Sequence, residues 1–149
     1  MSSPIIIFDL NRTLYDPERH QLVDHALFVL ESCRSRGYAL FLVSHNEPTR
    51  AEVVDSFGLR SFFRDSFFVD GKSPELFKTI LGAAGAKPAD SFVIGDVVKS
   101  EILFGNICGM KTIWVSVGKF KDQVPQTVTQ RPTYTTKDLL AILSLIPPV

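Results

Sequence analysis

The sequence has few of the features that mark disulfide-stabilised or membrane proteins. It contains two cysteines, Cys33 and Cys108, which lie far apart in apolar patterns, so we expect buried free thiols and not a disulfide. No apolar run approaches the ~18 residues that cross a bilayer, and the N-terminus lacks the pattern of a secretory signal. We therefore expect a cytoplasmic protein with no membrane partner.

A surplus of positive charge is also missing. The 16 Lys and Arg residues balance 16 Asp and Glu residues. Nucleic-acid partners require clustered cationic charge, so the sequence predicts no nucleic-acid partner. With 149 residues and no internal repeat or linker, the chain is long enough to bury a core, and we expect one domain over residues 1–149.

Apolar segments of strand length alternate with segments of helical spacing along the chain. The apolar runs that predict buried strands are 4–8, 38–43, 91–94 and 110–115. This alternation is typical of a single doubly wound, Rossmann-like α/β domain with a mainly parallel sheet. Residues 117–132 are predicted to be rich in loops, and residues 136–146 to form a terminal amphipathic helix.

Polar side chains follow three of these strands. Asp9, Ser44 and Asp96 come at strand ends, and Lys72 stands just ahead of a predicted helix. The carboxyl ends of parallel strands meet at one edge of a sheet, where such sheets bind ligands, so we expect these residues to lie together. The two carboxylates suit a hard cation such as Mg²⁺, and the hydroxyl and ammonium groups suit the oxygens of a phosphate.

The order of these motifs resembles that of the haloacid dehalogenase (HAD) superfamily. The four motifs are Phe8-Asp9-Leu10-Asn11-Arg12-Thr13-Leu14, Val43-Ser44, Gly71-Lys72-Ser73-Pro74-Glu75-Leu76-Phe77 and Ile94-Gly95-Asp96-Val97-Val98-Lys99-Ser100-Glu101. Each motif alone is weak, but four in the right order make the resemblance strong over roughly residues 5–115. The resemblance implies a HAD-like fold and a Mg²⁺-dependent hydrolase, most simply a phosphatase.

The resemblance also implies a nucleophile and a metal site. Asp9 would attack phosphorus and form an aspartyl-phosphate. Mg²⁺ would lie between Asp9, Asp96 and the backbone carbonyl of Asn11. Glu101 would support these ligands or reach the ion through a water molecule.

Substrate contacts follow from the same likeness. Ser44 and Lys72 would hold the transferring oxygens, and Lys78 is the weaker alternative to Lys72 because it falls inside a predicted helix. Arg12 replaces a glycine usual in the family and would either bind an anionic group of the substrate or lie on the surface. His45 adjoins Ser44 and is either an exposed loop residue or a substitute proton carrier.

Asn11 stands where the family usually has a second Asp. That Asp protonates the leaving oxygen and later activates water, which typically contributes about 10²- to 10⁴-fold. A carboxamide cannot do this, so we expect activity that is reduced or narrowed to aryl and acyl phosphates. The alternative is a catalytically impaired relative that serves as a phosphate- and metal-binding or interaction module.

Two further activities fit the sequence less well. A phospho-receiver domain would carry its phosphorylated Asp on a middle strand, where Ser44 stands. A haloacid dehalogenase also lacks the second Asp, but it covers its small substrate with a cap domain. The segments that could hold a cap, 13–22 and 46–72, are too short or already used by predicted elements. We therefore expect no cap domain.

Without a cap domain the site would be open, so the substrate or another chain would have to exclude water from it. It suits a phosphorylated small molecule or a phosphoprotein as substrate, with a partner chain or a second copy of this chain covering the site.

Overall fold

The computed structural model describes residues 3–149. The strands are β1 (Ile5–Phe8), β2 (Tyr15–Asp16), β3 (Gln21–Leu22), β4 (Ala39–His45), β5 (Asp65–Val69), β6 (Phe92–Gly95), β7 (Lys111–Val115) and β8 (Tyr134–Thr136). The α-helices are α1 (Ala26–Ser35), α2 (Pro48–Ser56), α3 (Pro74–Ala84) and α4 (Leu103–Ile107). A π-helical turn at Val98–Ile102 leads into α4.

Six of the strands form one parallel sheet in the order β5-β4-β1-β6-β7-β8. The chain builds outward from β1 to β5 on one side and then crosses to β6, β7 and β8 on the other. Such a reversal opens a crevice at the carboxyl ends of the central strands. The predicted doubly wound α/β fold with a mainly parallel sheet is confirmed.

Helices cover both faces of the sheet, which is why β1 reads as an unbroken apolar run. Ile6 and Phe8 face a cluster that includes Leu30 of α1. Ile5 and Ile7 face a second cluster that includes Phe77 of α3. All four side chains of β1 are buried, so the residue that follows the strand is held at a fixed position.

Two segments differ from the prediction. Residues 136–146 do not form an amphipathic α-helix: Thr136 ends β8, and a six-residue 3₁₀ helix follows at Leu139–Ser144. Asp16-Pro17 predicts the start of a helix that continues to Gly37, but α1 begins only at Ala26, because β2 and β3 form an antiparallel hairpin first. Residues 117–132 contain 3₁₀ turns at Gly118–Phe120 and Val128–Gln130.

The two cysteines are free, Cys33 buried and Cys108 half-buried. No helix among residues 3–149 is long and apolar enough to cross a membrane. Within residues 13–22 and 46–72, the structure has only short elements and no inserted domain. A single domain over residues 1–149 stays a prediction, and its first two residues lie outside the described part of the chain.

Candidate active site

Asp9, Ser44 and Asp96 lie at the carboxyl edge of three adjacent strands, β1, β4 and β6. The Asp9 amide donates a hydrogen bond to the Ile94 carbonyl at 3.0 Å, which continues the pairing of β1 with β6 beyond the strand end. All three polar residues are buried. The structure therefore brings together the strand-end residues that the sequence singled out.

Three carboxylates and one ammonium group form the centre of the site. Each of Asp9, Asp96 and Glu101 offers an oxygen, and these oxygens lie within 4.8 Å of one another. Lys72 Nζ donates to Asp9 Oδ1 and to Glu101 Oε1, both at 2.6 Å. One buried cation thus faces three acids, so the cluster is short of positive charge.

The unpaired oxygens of this cluster fit a divalent cation. Asp96 Oδ2 and Glu101 Oε2 are buried without a hydrogen-bond partner among the described residues. A buried acceptor left unpaired is costly. Carboxylate oxygens are the ligands that Mg²⁺ binds in proteins, so the donor set suits this ion.

The pKa values of the cluster reflect the same shortage of positive charge. Burial, followed by repulsion from Asp9, raises the pKa of Asp96 to about 9 and that of Glu101 to about 7. Burial alone would lower the pKa of Lys72, but the charges of Asp9 and Glu101 outweigh it and raise this pKa. Burial opposes ionisation of Asp9 as well, yet the Lys72 charge and a hydrogen bond with Asp96 leave its pKa lowered.

Gly95 and Trp114 position the acids that follow β6. A Cβ on Gly95 would lie 2.9 Å from Cβ and Cγ of Glu101, so only glycine allows Glu101 to pass so close to the strand. Trp114 Nε1 donates to the Asp96 carbonyl at 2.9 Å. The Gly-Asp pair of the motif therefore has a packing role in addition to supplying a carboxylate.

Lys72 reaches the cluster because a helix begins immediately after it. The Ser73 side chain accepts a hydrogen bond from the Leu76 amide and caps α3, which is the expected arrangement for Ser followed by Pro. Lys78 lies exposed on the same helix. The structure places Lys72 and not Lys78 beside Asp9.

A cleft of about 290 Å³ opens above the carboxylates. Its lining residues are Asp9, Asn11, Arg12, His45, Glu47, Arg50, Asp96, Val97, Ser100, Glu101, Lys119 and Phe120. Asn11 lies half-buried in this cleft beside Asp9. Its amide can form hydrogen bonds there but cannot exchange a proton near neutral pH.

One wall of the cleft is formed around Ser44. Its Oγ accepts a hydrogen bond from Arg50 Nη1 at 3.3 Å, and Arg50 also pairs with Glu47 at 3.2 Å. His45 lies exposed at the same wall. Partial desolvation of its ring, followed by the charges of Lys72 and Arg50, lowers the pKa of His45.

The opposite wall contains residues that the sequence reading missed. Lys119 and Phe120 come from the 3₁₀ turn after β7, and Arg12 packs over the Phe120 ring. The place of Lys119 and Phe120 in the sequence could have indicated that they lie near the site, because residues just after a parallel strand lie at the carboxyl edge of the sheet. Arg50 gave a similar signal through its place in the first turn of the helix after Ser44.

One family model matches the C-terminal part of the chain. The HAD-hydrolase-like family model matches residues 70–142. Mouse N-acylneuraminate-9-phosphatase is 24% identical over 132 residues, which are 84% of this chain and 52% of the mouse protein. Glyceraldehyde 3-phosphate phosphatase from Pyrococcus furiosus is 27% identical over 95 residues, 60% of this chain and 40% of that protein. The chain thus spans about half or less of these relatives.

Solved structures share the fold. A HAD phosphatase from Thermococcus onnurineus superposes with a TM-score of 0.77 at 14% identity, covering 98% of this chain and 100% of that chain. The putative HAD-hydrolase YfnB from Bacillus subtilis, bound to magnesium, gives a TM-score of 0.71 at 22% identity, covering 85% of this chain and 57% of that chain.

Proposed function

We propose that the chain is a HAD-like hydrolase, and that it acts as a Mg²⁺-dependent phosphohydrolase through an aspartyl-phosphate on Asp9. The observation that carries this proposal is the buried cluster of three carboxylates, two of which, Asp9 and Glu101, are bridged by Lys72. Relatives named as phosphatases support it. A neighbour of the same fold that is bound to magnesium supports the choice of ion.

The proposed metal site consists of Asp9, Asp96 and the backbone carbonyl of Asn11, with Glu101 close by. Bound Mg²⁺ would supply charge that offsets the repulsion between Asp9 and a phosphate dianion. Lys72 keeps Asp9 ionised and oriented, since it donates to the Asp9 carboxylate at 2.6 Å. This ion pair leaves the second Asp9 oxygen available as nucleophile.

The phosphate oxygens would be held by groups at the Ser44 wall. The Ser44 hydroxyl and the Arg50 guanidinium lie together there, and Lys72 adds an ammonium beside Asp9. These donors would stabilise the charge on the transferring phosphoryl group. Asp9 would displace the ester oxygen, and water would then cleave the aspartyl-phosphate to release phosphate and regenerate Asp9.

Asn11 sets the limit on this chemistry. It cannot give a proton to the leaving oxygen, so the first step favours leaving groups that depart as stable anions, such as aryl and acyl phosphates. His45 has a lowered pKa and lines the cleft, and it is the proposed acceptor for the proton of the attacking water. The alternative function, a binding module without turnover, would keep the same metal and phosphate contacts.

The test is release of phosphate from p-nitrophenyl phosphate with and without Mg²⁺. We expect Mg²⁺-dependent turnover in the wild type and loss of turnover to background in Asp9→Asn, because the amide is no nucleophile. Asp24→Asn, which alters an exposed carboxylate away from the cleft, serves as the matched control and should retain activity.

The two candidate functions differ in one outcome. If the wild type shows no turnover while Mg²⁺ with phosphate or beryllium fluoride raises its Tm, the chain is a binding module. If it shows neither turnover nor such a shift, both functions are wrong. A protein in this open form would act on a phosphorylated small molecule or a phosphoprotein, with a partner chain or second copy covering the cleft.

A further inference from the structure

Two cations lie over one aromatic ring at the edge of the active cleft. The guanidinium carbon of Arg12 is 5.8 Å from the centre of the Phe120 ring, and Lys119 Nζ is 5.0 Å from it. All three residues line the same cleft as Asp9. Arg12 follows β1, and Lys119 and Phe120 follow β7, whereas Ser44 and Arg50 come from β4 and α2. The three residues are therefore separate from the groups assigned to the transferring phosphate.

The positive charge of this wall is only partly compensated. Arg12 pairs with Glu18 through Nη2 alone, at 2.7 Å, and the Glu18 side chain is 60% exposed. Arg12 Nε is buried and has no hydrogen-bond partner among residues 3–149. Lys119 has no carboxylate within ion-pair distance in the described chain. Two cations at one ring, with a spare donor at Arg12 Nε, favour a bound anion.

The backbone is shaped to bring these cations together. Arg12 has φ +63° and Gly118 has φ +73°, both in the left-handed region that side chains disfavour. A Cβ on Gly118 would lie 2.9 Å from Arg12 Cδ, so the glycine is what allows the two loops to touch. A non-glycine residue kept in this conformation indicates that the position of Arg12 is specified by its surroundings.

There is room beyond these residues for more than a phosphate. A second hollow of about 430 Å³ lies on the far side of Arg12 and Lys119 and includes Gly118. If the phosphate of a substrate lies at Asp9, the leaving group would extend along Arg12, Lys119 and Phe120.

We propose that Arg12, Lys119 and Phe120 form a second anion subsite, and that the substrates are phosphate esters whose leaving group carries a further anionic group, a carboxylate or a second phosphate. The inference rests on the proposed function, because it takes the ester phosphate to be held beside Asp9. Arg12 offers planar donors that match a carboxylate or phosphate. Lys119 adds a charge, and Phe120 holds both cations in place.

Non-hydrolysable probes test the subsite independently of turnover. The Kd of the full chain with Mg²⁺ is measured by calorimetry for three matched pairs: phosphonoacetate with ethylphosphonate, 3-phosphonopropionate with propylphosphonate, and 4-phosphonobutyrate with butylphosphonate. At least one carboxylate probe should bind about tenfold more tightly than its alkyl partner, as expected for one charge-assisted contact.

Two lysines of the same loop provide the variant and its control. Lys119→Met should reduce that preference to about threefold or less while leaving the Kd of the alkylphosphonates unchanged. Lys121→Met removes the same charge from an exposed residue that does not line the cleft, and it should keep the full preference.

Equal affinity within all three pairs overturns the subsite, and so does a preference that survives Lys119→Met or is lost equally in Lys121→Met. Absence of binding by every phosphonate also overturns it. Release of phosphate from p-nitrophenyl phosphate distinguishes the two failures: turnover without any preference contradicts the second subsite alone, whereas absence of both turnover and binding contradicts the proposed function as well.

Discussion

At the residue scale, Asn11 governs which leaving groups the proposed chemistry accepts. It lines the cleft beside Asp9, yet an amide has no proton to exchange near neutral pH. A carboxyl group at this position has nearly the same shape as the amide, and it adds an exchangeable proton together with a negative charge when that proton is lost. The position therefore allows proton transfer to be tested almost in isolation.

We predict that Asn11→Asp raises kcat/KM for an alkyl phosphate such as glycerol 3-phosphate by about 10²-fold or more, the usual contribution of a positioned general acid. The gain for p-nitrophenyl phosphate should be much smaller, because p-nitrophenolate leaves without a proton. The measurement is the ratio of kcat/KM for the two esters in each variant. Asn11→Ser is the control, since it removes the amide without adding an acid, and it should not change this ratio. An equal gain for both esters would contradict the role of proton transfer.

At the element scale, the π-helical turn Val98–Ile102 packs tightly against β6. A side chain at Gly95 would therefore displace Glu101, which belongs to the acid cluster. The would-be Cβ of residue 95 meets Glu101 at 2.9 Å, and Glu101 in turn binds Lys72. The contact is with the first carbons of the Glu101 side chain, which cannot swing away as its far end could. A methyl group at residue 95 would therefore displace the π-helical turn itself.

We predict that Gly95→Ala lowers the free energy of unfolding by about 1–3 kcal/mol, the usual cost of overpacking. Gly82→Ala is the matched control: Gly82 lies inside α3 with no atom within 4 Å of its would-be Cβ, and alanine should stabilise the helix by about 0.5–1 kcal/mol. Urea unfolding of the three proteins measures both values. Equal effects of the two substitutions would show that Glu101 does not pack as described.

The elements that could be predicted from the sequence are those with a strong local signal. The unbroken apolar runs of β1 and β4 and the Ser73 cap of α3 depend on nearby residues, and they led directly to Asp9, Ser44 and Lys72. β2 and β3 have two residues each and no periodicity. β8 is a short strand whose Tyr134 and Thr135 are exposed. Such segments acquire their structure from tertiary pairing, which sequence patterns do not reveal.

The site residues that the sequence did not predict are likewise positioned by tertiary contacts. Lys119 and Phe120 lie in a segment that reads as loop, and nothing near them in sequence indicates that Arg12 will pack against Phe120. That contact joins residues more than one hundred positions apart and depends on the close approach at Gly118. Catalytic candidates at strand ends were thus predictable. The place of Lys119 and Phe120 after β7 indicated only that they lie near the same sheet edge, and their contact with Arg12 was not predictable.

At the scale of the whole molecule, the buried acid cluster links the stability of the fold to pH and to metal. The pKa of Asp96 is raised from 3.8 to about 9 and that of Glu101 from 4.5 to about 7, first by burial and then by Asp9. In the unfolded chain both groups return to ordinary values. The folded protein therefore keeps protons that the unfolded chain has lost, and the stability from these protons disappears as pH rises through the folded-state values.

We predict that the Tm of the metal-free protein falls between about pH 5.5 and pH 9, and that the gain in Tm on adding saturating MgCl₂ grows over the same range. The reason is that the cation replaces the protons as the counter-charge of the cluster, so protons compete with it at low pH. Calorimetry at matched ionic strength, with NaCl in place of MgCl₂, separates binding from screening. Asp96→Asn removes one of the titrating charges and should flatten both dependences. A magnesium-induced gain that is independent of pH, or greatest at the acid end, would contradict a metal site built on these carboxylates.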